Sequence, residues 1–391
     1  MSSKKTRHRA AEAAAEAAAP AVAAAPQASS RNYGIDLLRL VAMFYIVIQH
    51  IFLQGGAMYA TTADSTQYHI SHFLEVFTYC GANIFAIISG YVCVTEKEKP
   101  VKFASYLNLW LEILFYGLAA LVFYCCMGHA GDLTKMDFYG IFLPVISSSY
   151  WYFSAYTGLF VLMPILNAGI RNSSKETLRY VFIAMILAFA TISMMLKYVG
   201  VGSGYTTFWL VLLYIFGAII KKCEIGKRIP SIVSIILILL LTYVSNKWKM
   251  KATEHTVGPL TVDKALLSKY TSITIVVIAM LHVIMFAKMR MPGWLIKFVK
   301  FAGPCSFAIY VINCQSLIWD HYFKNGFRSF GQKDTLPLLL SVFGSALLFV
   351  AGAIIVDRIR MALFKAMHVS QFTAWVEKKF RAFFGKICEV I

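Results

Sequence analysis

Apolar runs close to twenty residues long recur from one end of this chain to the other, and they decide its fold class. A helix needs about 20 apolar residues to cross a bilayer. Lipid offers the backbone no hydrogen-bond partner, so a spanning segment is either a helix or part of a closed barrel. These runs are continuous rather than alternating apolar with polar, which argues against a barrel. Of 391 residues, 59% are hydrophobic and 14% charged, against about 25% charged in ordinary soluble domains. No water-soluble fold of this length hides that much apolar surface. The expected fold is all-α: a polytopic integral membrane helical bundle of about ten transmembrane helices.

The spans are expected near residues 36–54, 71–94, 105–127, 150–170, 179–197, 206–221, 230–247, 270–288, 302–322 and 336–356. A formal net charge of +18 raises nucleic acid as a partner, but the placement of the charges explains it better. With both termini cytoplasmic, 27 of the 37 Lys and Arg fall in cytoplasmic segments and 10 outside, as the positive-inside rule requires. No nucleic acid partner is expected. Residues 247–269 are the one conflict, with five lysines on the outer side.

Three regions follow. Residues 1–32 read as a disordered basic and Ala-rich cytoplasmic tail, with no apolar h-region of the kind a secretory signal carries. Residues 33–357 form the transmembrane domain. Residues 358–391 mix Phe364, Phe372, Trp375, Phe380, Phe383 and Phe384 with Lys378, Lys379 and Arg381, the pattern of a basic amphipathic segment on the inner leaflet. The eight cysteines form no CxxC pair, so neither a metal site nor a disulfide framework is expected.

Ionisable groups inside spans are costly and mark function by default. The first span holds Asp36, Arg39 and His50. Asp36 and Arg39 are three apart and share a helix face, where they either anchor the helix at the cytoplasmic interface or serve a site. His50 follows Arg39 by eleven residues, roughly 16 Å along a helix and close to three turns on. One face of one helix thus carries a cation deep and a titratable base high, suited to general-base work. Glu75 or His72 stands at a depth from which it could orient that imidazole. Asn83, Ser89 and Tyr91 interrupt the second span, and Asn108 and Glu112 the third. Trp151-Tyr152-Phe153 reads as an interfacial aromatic belt.

Four stretches make the chain resemble the acyltransferase family 3 membrane proteins, of the surface polysaccharide O-acyltransferase type. Gly34-Ile35-Asp36-Leu37-Leu38-Arg39 followed by His50 matches the family's Arg, ten residues, His pattern. Ile84–Tyr91 matches its Ser-Gly-aromatic ending, Tyr150–Asn167 its aromatic and Pro-Ile-Leu-Asn stretch, and Cys305–Tyr310 its late Ser-Phe-x-Ile-Tyr segment. One departure stands out: Asn313 occupies a position where the family often has a histidine. An amide hydrogen-bonds but does not titrate near neutral pH, so the catalytic role falls on His50.

The resemblance implies transfer of an acyl group, most often acetyl, from cytoplasmic acyl-CoA to a hydroxyl of an envelope glycan. It also implies a bacterial cytoplasmic membrane. No bound cofactor is expected; acetyl-CoA or another acyl-CoA is a co-substrate. His50 is the expected catalytic base, with Arg39, Asp36, Asn83, Ser89, Tyr91, Glu112, Trp151 and Asn313 expected to bind donor or acceptor. Two rival readings stand beside it: a transporter or flippase of a lipid-linked sugar, and a non-catalytic membrane sensor or scaffold.

Overall fold

The structure is a computed structural model that describes residues 31–95, 97, 100–147, 149–192, 200–253, 255–257 and 260–388. The tail expected over residues 1–32 lies outside it apart from Arg31 and Asn32, which are not helical. The helices are α1 (Tyr33–Phe52), α2 (Thr66–Thr78), α3 (Gly81–Cys93), α4 (Phe103–Cys126), α5 (Lys135–Phe142), α6 (Trp151–Asn172), α7 (Lys175–Ile192) and α8 (Thr207–Lys222). There follow α9 (Ser231–Lys251), α10 (Ile273–Ala287), α11 (Gly293–Ala302), α12 (Ser306–Asn313), α13 (Thr335–Ala366) and α14 (Val369–Cys388).

Among the described residues, seven stretches are long and apolar enough to cross a membrane: α1, α2 with α3, α4, α6, α9, α11 with α12, and α13. Helices α7, α8 and α10 stand at the other three expected positions. The last two are short, at 16 and 15 residues, and α7 carries Lys175, Glu176 and Arg179 in its first two turns. The protein is a polytopic helical membrane protein.

Close backbone approach builds the centre of the bundle. A Cβ on Gly90 of α3 would stand 1.8 Å from the Tyr214 carbonyl oxygen of α8, and a Cβ on Gly217 of α8 would stand 1.8 Å from that of Ile87. The two glycines let the helix backbones touch, as small residues do between membrane helices. Gly81 does the same where α3 begins, close against Ile46 and the Ala42 carbonyl of α1. At the foot of α6, Lys222 donates to the carbonyls of Ile170, Arg171 and Ser173 at 2.7, 2.8 and 2.7 Å. A cation thus satisfies the orphan acceptors of a helix C-terminus.

Two expectations need correction. The span placed at 302–322 lies earlier, as α11 and α12 joined by a 3₁₀ turn at Gly303–Cys305; Pro304 lacks the N–H that an unbroken helix would need there. Helix α13 runs on past residue 357 to Ala366, and α14 follows it as the C-terminal helix. A small antiparallel hairpin, β1 (His255–Val257) with β2 (Leu260–Val262), pairs Thr256 with Thr261 in the lysine-rich segment. That segment is less positive than its five lysines suggest. Lys249 pairs with Glu75 at 2.6 Å and Lys269 with Asp263 at 2.5 Å.

Candidate active site

Met43, Ile46 and His50 fall on one face of α1 at steps of three and four residues and line a cavity. Its other walls come from Ala82 and Phe85 of α3, Trp151 and Tyr152 of α6, Phe307 and Tyr310 of α12, Tyr270, and Cys314. Its volume is about 40 Å³, and none of these residues is an acid, a lysine or an arginine.

His50 is the chemical centre of this cavity. Its Nδ1 is hydrogen-bonded to Oδ1 of Asn313, the last residue of α12. An amide oxygen only accepts, so Nδ1 carries the proton and Nε2 keeps its lone pair. The ring is held from the side as well. Trp319 meets it edge-on at 4.9 Å and 89°, and Phe323 meets it at 6.4 Å. Trp319 and Phe323 stack on each other at 4.9 Å and 7° within one π-type turn, Trp319–Phe323. Such wide turns put two side chains on the same face and recur at functional sites. The segment after this turn is tied to the end of α1. Asn325 N–H donates to the Gln54 carbonyl and Phe327 N–H to that of Gly55, each at 2.9 Å.

Tyrosine rings make up much of the rest of the wall. Tyr152 and Tyr310 line it with rings 6.1 Å apart, and Tyr150 packs on Tyr310 at 5.9 Å. The hydroxyls of Tyr150 and Tyr152 are buried without a hydrogen-bond partner, an uncommon state for a buried polar atom. The aromatic-belt reading of residues 151–153 is therefore overturned. Tyr152 and Phe153 are buried, and Trp151 faces the cavity against Tyr205 and Tyr270 at 4.6 and 6.1 Å.

The other expected site residues separate into those near the cavity and those far from it. Trp151 lines the cavity and Asn313 is bonded to His50. Asn83 lies beside the cavity wall, but its amide is committed: it donates to the Tyr270 carbonyl at 2.7 Å and accepts from the Trp209 indole at 3.1 Å. It therefore holds Tyr270 in position rather than facing a substrate. The Ser89 hydroxyl donates to the Phe85 carbonyl one turn back at 3.0 Å. Asp36 and Arg39 form the expected pair at 2.8 Å towards the opposite end of α1, with the Arg39 side chain still 27% exposed. Tyr91 is at that end too, with the Lys221 ammonium 5.7 Å from its ring centre.

Glu112 belongs to a different cluster. It pairs with Arg360 at 3.3 Å, and Arg360 pairs with Asp357 at 2.5 Å. Tyr116 donates to Asp357 at 2.7 Å. This buried ionic knot ties α4 to α13, and Glu112 does not line the cavity.

Neither candidate for orienting His50 does so. Glu75 is held by Lys249, and the His72 ring bonds to the Tyr68 carbonyl at 2.9 Å. Asn313 does that work from 263 residues away. Among the described residues, no group of three or more His, Cys, Asp or Glu could hold a metal ion.

No curated protein and no solved structure matches the chain. A family match covers residues 32–358, almost the whole helical body from the start of α1 into α13, and its description is an acyltransferase domain. The histidine of the Arg, ten residues, His pattern, set in a cavity by a fixed tautomer, lies within that stretch. The chain belongs to the acyltransferase family 3 membrane proteins.

Proposed function

We propose that this acyltransferase moves an acyl group, in the simplest case acetyl, from cytoplasmic acyl-CoA to a hydroxyl of an envelope glycan. The observation that carries the reading is the His50–Asn313 hydrogen bond at the edge of an uncharged, aromatic-walled cavity. An alcohol is a weak nucleophile and needs a base within hydrogen-bond reach. His50 Nε2 takes the hydroxyl proton as the alcohol oxygen attacks the thioester carbonyl carbon. The C–S bond then breaks, and the proton passes to the departing CoA thiolate. The oxyanion that forms in between needs donors already aimed at it, and the free hydroxyls of Tyr150 and Tyr152 are the candidates.

The donor's phosphates cannot cross lipid and meet cations at the other end of α1. Arg39, braced by Asp36, is the candidate there, with Tyr91 and Lys221 beside it. In this orientation the His50 end faces outward, in a bacterial cytoplasmic membrane. Helix α14 lies on the inner leaflet through Phe372, Trp375, Phe383 and Phe384, all exposed.

The test is transfer of radiolabel from acetyl-CoA into envelope polymer by membranes carrying the parent or His50→Ala at equal expression. Loss of a positioned general base lowers transfer by about 10²-fold or more. Label that survives the substitution removes His50 from the role. Absence of label from both forms, with acetyl-CoA and with succinyl-CoA, removes the acyl-CoA reading.

A further inference from the structure

The cavity bordered by His50 also contains a thiol. Cys314 lines it and directly follows Asn313 where α12 ends, its N–H closing the helix on the Tyr310 carbonyl at 3.0 Å. Neighbouring residues on a helical turn project about 100° apart. Asn313 reaches Nδ1 of His50, and Cys314 faces the space that the ring borders. With Nδ1 taken by the amide, Nε2 is the nitrogen left for that space. Cysteine, histidine and asparagine thus come together from residues 314, 50 and 313, a set of groups that recurs in thiol-based acyl transfer on unrelated folds.

Two further observations bear on this thiol. The Tyr150 hydroxyl, buried without a partner, lies within electrostatic range of Cys314. A donor is therefore already present for an oxyanion formed at an acyl group on that sulfur. The other observation is size. A cavity of about 40 Å³ has room for roughly three water-sized groups, at about 10–15 Å³ each. That matches the methyl, carbonyl carbon and oxygen of one acetyl group, and leaves no space beside them for a donor's sulfur and an acceptor's hydroxyl at once.

We propose that Cys314 takes the acyl group from acyl-CoA as a thioester and passes it to the acceptor in a second step. This deepens the acyltransferase reading and rests on it for donor and acceptor; the difference is that CoA departs before the acceptor hydroxyl enters. In the first step His50 Nε2 takes the Cys314 thiol proton as Sγ attacks the donor's carbonyl carbon. The C–S bond to CoA breaks, and the CoA thiolate takes the proton from the imidazolium. In the second step the acceptor hydroxyl gives its proton to Nε2 and its oxygen attacks the Cys314 thioester. The C–Sγ bond breaks, and the Cys314 thiolate takes the proton. One thioester is exchanged for another and then for an ester, so neither step needs an oxidant or a further reactant. Dividing the transfer in this way replaces one difficult step by two easier ones. It also suits a site whose two substrates arrive from opposite faces of the membrane.

The test incubates the full chain in membranes with radiolabelled acetyl-CoA and no acceptor. The parent is expected to take up label that neutral hydroxylamine releases, as it does from a thioester, and that maps to the peptide containing Cys314. It is also expected to exchange labelled CoA into acetyl-CoA without acceptor, the mark of a two-step transfer; transfer in a single step gives neither. Cys314→Ser, a change of one atom, and Cys314→Ala should lose the label, the exchange and the transfer to envelope polymer together, and His50→Ala should do the same. Parent-like transfer by Cys314→Ala overturns the proposal. So does a parent that acetylates polymer without exchanging CoA, or whose label sits on another residue. These last two measurements need no variant, so they hold whether or not the substituted chains fold. In each of these cases the acyltransferase reading stands. A parent showing neither transfer nor label removes that reading, and this proposal with it.

Discussion

The hydrogen bond from His50 to Asn313 makes a quantitative prediction. Asn313→Leu keeps the side chain's approximate size but removes the acceptor to which Nδ1 is bonded. The imidazole then loses what fixes its tautomer, and a buried N–H is left without a partner. Such a loss costs about 1–3 kcal/mol. If it falls on the transition state, turnover drops by roughly 5- to 150-fold. The lower half of that range is expected, because Trp319 at 4.9 Å and Phe323 at 6.4 Å still confine the ring. The acyl-CoA phosphates are bound elsewhere in the proposed mechanism, so KM for the donor stays within about twofold. Asn313→Asp retains an acceptor at the same place but buries an unanswered charge, and is expected to lose at least as much activity as the leucine variant. The assay is initial rate of label transfer against acyl-CoA concentration, in membranes matched for folded protein. Parent-like turnover in Asn313→Leu would show that nothing in the reaction depends on this hydrogen bond. A loss confined to KM would show that Asn313 binds donor rather than orienting the base.

Three further perturbations test the frame around the site. Gly217→Ala drives a methyl to 1.8 Å from the Ile87 carbonyl oxygen; α3 and α8 must part by roughly 1.5 Å to reach ordinary contact, costing about 3 kcal/mol or more. Reactivity of the buried Cys80, Cys223 and Cys305 towards a thiol dye during heating reads this out, and an unchanged midpoint would contradict the close approach. Arg360→Met leaves Glu112 and Asp357 buried beside each other without their cation, a loss of about 3–5 kcal/mol, and adding Glu112→Gln and Asp357→Asn restores most of it in the same thermal assay. At the other helix junction, Glu377 accepts from the Ala104 N–H at 2.8 Å and from Arg381 at 2.7 Å, fastening α14 to the start of α4. Burial works to raise its carboxyl, but the Ala104 N–H and Arg381 outweigh it and hold it below the usual range. A depressed folded-state value means that this fastening is present above the usual carboxylate range and is lost as pH falls through the depressed value. Trp375 fluorescence should report the release on acidification, and Glu377→Gln should remove that pH dependence.

What could be read from the sequence was what helix periodicity and composition encode. The pairing of Asp36 with Arg39 follows from a three-residue step, and the shared face of Arg39 and His50 from an eleven-residue one. The spans follow from apolar length, although Gly81 and the Gly303-Pro304 step break two of them where neighbouring helices come close or the backbone lacks a donor. The partner of His50 was hidden because no local pattern links residue 50 to residue 313. Nearness in depth favoured Glu75 and His72, both of which are engaged elsewhere. Trp151 and Tyr152 misled for a similar reason, since aromatic residues at a span's end have the same sequence pattern whether they face lipid or a cavity. The free hydroxyls of Tyr150 and Tyr152 depend on three-dimensional burial, and only the density of tyrosines in the family-like stretches hinted at them. The hairpin was more accessible: His255-Thr256-Val257 and Leu260-Thr261-Val262 flank Gly258-Pro259, a strand–turn–strand signal.

The distribution of charge through the bundle explains why an amide can stand where a second histidine is common. Asp36 with Arg39, and Arg360 with Glu112 and Asp357, lie towards one end, each cation answered by carboxylates. The wall of the His50 cavity has no fixed charge. A carboxylate beside the imidazole would have to be held in a low-dielectric interior through the whole catalytic cycle, and burying an unanswered charge costs more than one hydrogen bond returns. Asn313 fixes the tautomer with a dipole that needs no counter-ion. In the proposed mechanism, charge arises in this cavity only during reaction, as imidazolium and oxyanion together, and is met by amide and hydroxyl groups already in place. Preorganised dipoles of this kind act most strongly where water and mobile ions are excluded. An enzyme using them can dispense with a titrating partner for its base, and the proton need visit only one side chain on its way from the alcohol to the leaving thiolate.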